Sequence, residues 1–119
     1  MASQRASLFY QPGENLHHAV GFMLRNWFMS RMGAPFDQVL LDELVAGRVG
    51  PYKLYIMSNL FYLSAADRTA LECVFRRDGA TVLWLYAPGL QSDAGASVEN
   101  MAAATGLRLE RIETYGELD

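Results

Sequence analysis

The residues that could do chemistry are few and scattered. His17 and His18 stand side by side, Cys73 is the only thiol, and Asp37, Asp42 and Glu43 form a loose acidic group. Tyr86 closes the apolar run "TVLWLY" just before Ala87-Pro88-Gly89. Adjacent histidines on a helix diverge by about 100°, so they cannot chelate one ion together. Their i+4 positions, Gly21 and Phe22, offer no second ligand. With one cysteine there is no cysteine-rich metal site, and no bound metal or cofactor is expected. Cys73 precedes the apolar Val74 inside a helix pattern, which predicts a buried and inert structural thiol. The three acids read as turn residues and solvated charge.

Two phosphate-binding signatures are missing, the glycine-rich dinucleotide turn and the P-loop. "QPGEN" has a single glycine ahead of a helix, which marks a turn. Tyr86 therefore draws the most interest. The end of a buried strand is where α/β enzymes expose a nucleophile, and ligands bind beyond such strand ends. A hydrolytic elbow needs G-x-S-x-G or a cysteine there. "LYAPG" has neither, and tyrosine is a poor acyl nucleophile unless strongly activated. The same strand ends would bring Asn59, Tyr86 and Gln91 to the lining of a candidate pocket. There they would orient a sugar hydroxyl or a carboxylate.

The elements that must position these residues alternate along the chain. Leu16, Val20, Met23, Leu24, Trp27, Phe28 and Met32 keep the spacing of one buried helix stripe over Leu16–Met32. Phe22 and Met29 lie off that stripe on a second face, and are the candidate interface. "FDQVLL" (Phe36–Leu41) and "YKLYIMSN" (Tyr52–Asn59) read as strands. Ser64 with Asp67 predicts a capped helix whose stripe is Leu71, Val74 and Phe75, closed by Arg76, Arg77 and Gly79. "TVLWLY" has no polar alternation after Thr81, which predicts a central parallel strand covered on both faces. Ser97 and Gly106 bracket a last helix, and "LRLERI" (Leu107–Ile112) alternates like an edge strand. The order predicts an α/β three-layer sandwich, a flavodoxin-like parallel sheet with helices on both faces. Its first strand is short or missing, because only "ASLFY" precedes the first helix.

Length and charge narrow the function classes. The chain has 119 residues, enough for one domain (1–119). It is 51% hydrophobic with a net charge of -3, so no basic footprint for nucleic acid or anionic membrane is present. No apolar run approaches the ~18 residues of a membrane span, and no secretory signal is evident. A cytoplasmic location is the expectation.

Arg31-x-Gly33-x-Pro35, the strand and turn "YKLYIMSN-FYLS", Arg68 in the next helix, "G-x-TVLWLYAPG" and the later "SVENMAAATGLRL" make a set. In these motifs the chain resembles the β-galactosidase trimerisation domain of glycoside hydrolase family 42. The likeness spans most of the chain from about Ser7. It implies a flavodoxin-like fold akin to class I glutamine amidotransferases. It also implies that Tyr86 occupies the elbow position where catalytic relatives carry a cysteine. The expected function is a non-catalytic oligomerisation module, a dimer or trimer, attached to the other domains of a larger carbohydrate-active protein. A small-molecule binding domain for sugars or carboxylates is a second reading, and an amidotransferase-like hydrolase a third.

Overall fold

The computed structural model describes residues 24–112. The stretch "ASLFY", where the first strand was expected to be short or missing, lies outside the described residues, as do His17, His18 and Phe22.

The first described stretch is a π-helical turn, Leu24–Phe28, that runs into a 3-10 turn, Met29–Arg31. Here the expected burial is reversed. Trp27, Phe28 and Met32, assigned to the buried stripe, are exposed, whereas Met29 is half-buried. The cause is the change of helix type. A wide i→i+5 turn followed by a tight i→i+3 turn does not carry the 3.6-residue period that defined the stripe. The Arg31 guanidinium lies 5.4 Å from the centroid of the Trp27 ring, in cation–π range.

Phe36–Leu41 is not a strand. Residues 35–39 have no regular structure, and helix α1 (Leu41–Val45) starts at the last residue of that run. Leu41, Leu44 and Val45 hold i, i+3, i+4 spacing, and Leu41 and Leu44 are buried. Glu43 reaches back to accept the Leu40 N–H at 3.3 Å. Asp42 and Glu43, read as turn residues, are therefore in the first turn of a helix, where carboxylates face the positive end of the dipole.

Strand β1 (Leu54–Met57) and strand β2 (Thr81–Trp84) pair in parallel, with Tyr55 opposite Val82 and Met57 opposite Trp84. Helix α2 (Ala65–Asp78) makes the crossover between them. Its start is a reciprocal cap. Ser64 Oγ accepts the Asp67 N–H at 3.1 Å, and an Asp67 carboxylate oxygen accepts the Ser64 N–H at 3.3 Å. Gly79 ends it with φ 58°, a left-handed position that costs glycine nothing. The short strands β3 (Gln91–Ser92) and β4 (Gly95–Ala96) form an antiparallel hairpin. Helix α3 (Val98–Thr105) follows, with Ser97 Oγ accepting the Asn100 N–H at 3.1 Å.

The core lies on one face of the parallel pair. Leu41, Leu44, Tyr55, Met57, Leu60, Leu63, Leu71 and Val74 are its buried residues, and Phe75, Val82, Trp84 and Ala104 pack against them. On the opposite face, Leu54 and Leu83 are 49% and 47% exposed. This corrects the expectation for "TVLWLY". Along β2 exposed and half-buried residues alternate, so one face is covered and the other open. Leu107–Ile112 forms no strand, and Leu107 and Ile112 are exposed. The described residues thus make a small mixed α/β unit with a two-stranded parallel sheet and helices packed on it.

Candidate functional site

The carboxyl end of β2 is the corner the sequence singles out. Leu85 N–H still donates to Met57 O at 2.9 Å, and then the ladder stops. Tyr86 and Ala87 have φ of 51° and 37°, two successive non-glycine residues in the left-handed region. Each such residue costs about 1–2 kcal/mol, so the surrounding contacts must hold the corner in place. They are identifiable. Pro88 and Gly89 are buried, Gly89 N–H donates to Leu60 O at 2.6 Å, and Leu90 N–H donates to Ala87 O at 3.2 Å. Downstream, Gln91 N–H donates to Phe61 O and Leu63 N–H to Gln91 O. The segments after β1 and β2 are thereby laced together.

The corner does not lead into a helix. Strands β3 and β4 intervene before α3, whereas a nucleophile elbow is a strand-to-helix turn. Tyr86 is 47% exposed, and no histidine lies among the described residues to serve as its base. Asn59 and Gln91 are half-buried on the two laced segments, and Gln91 Nε2 donates to Ser92 O at 3.1 Å. Asp37 accepts from the Tyr52 hydroxyl at 2.8 Å, and Glu43 caps α1. Neither is aimed at the corner. Cys73 is exposed, not buried. It neighbours the inward Val74 but is turned about 100° away from it around the helix. Among the described residues no group of His, Cys, Asp or Glu could hold a metal ion.

A concave groove lies elsewhere. A groove of about 810 Å³ runs over β2 between α2 and α3, floored by Leu71, Phe75, Val82 and Trp84 and reaching Leu107. Asn59, Tyr86 and Gln91 do not line it. Its aromatic floor is ordered by contact. The Phe75 ring meets Trp84 edge-on at 6.0 Å and Tyr55 at 5.2 Å. Arg76 on its rim is paired to Glu72 at 2.5 Å, four residues earlier on α2.

Two polar clusters escaped the reading from sequence. Tyr55, buried at 3% exposure, donates its hydroxyl to Asp78, and Arg77 Nε donates to the same carboxylate at 2.6 Å. The Arg77 and Tyr55 hydrogen bonds hold the Asp78 carboxyl down to about 2. Burial first, then the bond to Asp78, pushes the Tyr55 hydroxyl up to about 12. The second cluster is centred on Asn100, whose amide donates to Leu90 O, Ser92 Oγ and Gly95 O. It pins the β3–β4 hairpin to α3. The only hint in sequence was the placing of Asn100 three residues after the cap Ser97. Both clusters are structural locks, away from the groove.

No protein-family model matches this chain, and neither a curated protein nor a solved structure does.

Proposed function

We propose that this chain is a non-catalytic assembly module of a larger carbohydrate-active protein, similar to the trimerisation domain of family 42 β-galactosidases. In this reading its complete fold is the three-layer flavodoxin-like sandwich, of which β1, β2 and their crossover helix α2 are one repeat. The observation that carries it is the apolar surface left uncovered. Trp27, Phe28, Met32, Phe36 and Leu40 are exposed in succession along the first described stretch, and Leu54 and Leu83 are half exposed on the sheet. Single exposed apolar residues are ordinary, but five large ones between Trp27 and Leu40 favour a segment that another protein surface covers. The strand-end corner supports the same reading, since Tyr86 replaces a nucleophile with a residue unsuited to the task.

The test is the absolute mass in solution by size-exclusion chromatography with light scattering over a concentration series. A dimer or trimer is expected. Replacing Trp27 and Phe28 together by serine should lower that mass while leaving the far-ultraviolet circular dichroism unchanged, because both side chains are exposed. A monomer at every concentration defeats the reading.

A further inference from the structure

The groove between α2 and α3 holds one polar group that the fold itself does not use. Arg68, Thr69, Glu72, Arg76 and Thr105 are its polar lining. All but Arg68 are occupied within their own helices. Thr69 Oγ1 donates to Ala65 O at 3.1 Å, and Thr105 Oγ1 to Met101 O at 2.9 Å. Arg76 and Glu72 neutralise one another at 2.5 Å. The Arg68 guanidinium makes no hydrogen bond or ion pair among the described residues, although the residue is half-buried. Nor does its helix account for it. Arg68 stands in the first turn of α2, the end whose dipole disfavours a cation.

The rest of the groove is apolar. Leu71 is buried beneath it, and Phe75, Val82 and Trp84 are half-buried with their remaining surface turned to the groove. The Phe75 and Trp84 rings meet edge-on, which leaves an aromatic face for a flat body to lie against. A volume of about 810 Å³ is that of a small-ligand pocket, roughly 300–1,000 Å³. The guanidinium fork fits a carboxylate, taking both oxygens at once. One unpaired cation balances one negative charge. The second charge of a phosphate monoester would stand unpaired against the apolar floor, which is costly.

We infer that this groove binds a small monocarboxylate with a flat apolar body, its carboxylate on Arg68 and its body against Phe75 and Trp84. The site does not rest on the assembly reading, because none of the exposed apolar residues behind that reading lines the groove.

Three probes that share one ring system test it: naphthoate, naphthamide and naphthyl phosphate. Each is titrated into a Trp27→Phe chain, in which Trp84 carries the remaining indole. Proton–nitrogen NMR spectra follow the Trp84 indole N–H. Naphthoate is expected to shift it with a Kd of about 1 mM or tighter, and to bind roughly tenfold more tightly than naphthamide. Arg68→Met keeps the stem and removes the charge. It should erase that preference while naphthamide binding stays the same, and Arg68→Lys should restore part of it. Circular dichroism checks that both variants fold. Equal affinity for acid and amide, or a preference that survives Arg68→Met, overturns the inference, since the guanidinium then reads no charge. Tighter binding of naphthyl phosphate overturns it in favour of a doubly charged ligand. No shift with naphthoate up to about 10 mM overturns it outright. The mass in solution is read separately, so the assembly reading stands or falls on its own result.

Discussion

The Tyr55 hydroxyl and the Asp78 carboxylate tie the far end of the parallel pair to the last turn of α2, and their ionisation gives stability a pH signature. Asp78 titrates at about 2 in the folded chain against 3.8 for a free carboxyl. Its contribution is complete above the unfolded value and is lost as pH falls from about 4 towards 2. Tyr55 is displaced the other way, to about 12 against 10.0. Its contribution is complete below pH 10 and disappears as pH rises towards 12. Urea midpoints measured across pH should therefore fall at both extremes. Tyr55→Phe should flatten the alkaline fall relative to the parent, and Asp78→Asn the acid one, while each lowers stability near pH 7. An alkaline limb unchanged by Tyr55→Phe would place the titrating group elsewhere. None of this cluster was legible in sequence, because Tyr55 and Asp78 are 23 residues apart and only the α2 crossover brings them together.

Among the elements, α3 sits where it does because Gly89 lets it come close. A Cβ built on Gly89 would stand 2.8 Å from the Ala104 Cβ, at a backbone φ of +66°. Gly89→Ala should therefore cost about 2–4 kcal/mol, combining left-handed strain with overpacking. Ala104→Gly removes the obstructing methyl but loses roughly 1 kcal/mol of helix stability. Denaturant unfolding of both single variants and the double variant should show that the double loses about 1 kcal/mol less than their sum. Strict additivity would mean that the contact does not set the spacing. Helices α2 and α3 were the legible part of this architecture. Ser64, Asp67 and Gly79 bound α2, and Ser97 and Gly106 bound α3, because caps are local chemistry. The strand of "YKLYIMSN" also appears, shortened to Leu54–Met57. What failed depends either on neighbours distant in the chain or on a local pattern cut at the wrong place. An apolar run such as "TVLWLY" shows that it can be buried, not which of its faces is covered. In "FDQVLL", Leu41 belongs to a helical triplet with Leu44 and Val45 that continues past the run. The strand-end corner was legible as a corner, but the positive φ at Tyr86 and Ala87 was not, since neither residue type favours it.

For the whole molecule, the decisive quantity is how much apolar surface stays in water. Among the described residues a core of eight buried residues lies on one sheet face, with Trp27, Phe28, Leu54 and Leu83 outside it. Burial contributes roughly 25 cal/mol per Å² of apolar area, so covering the uncovered residues in an assembly offers stabilisation that the isolated chain lacks. That coupling is measurable without knowing the interface. For a folded dimer that unfolds to separate chains, each tenfold rise in concentration adds about 1.4 kcal/mol of apparent stability. At roughly 2–4 °C per kcal/mol for a cooperative unit of about 240 residues, Tm should climb by about 3–6 °C per decade of concentration. The contacts invoked are apolar and the net charge is only -3. Moderate sodium chloride should therefore leave the slope nearly unchanged, while sulfate should raise Tm. The Trp27 and Phe28 double serine variant should lose the concentration dependence and fall to the Tm of the single chain. A Tm independent of concentration in the parent protein would mean that the folded chain stands alone, and the exposed aromatic pair would then have to be explained without a second copy.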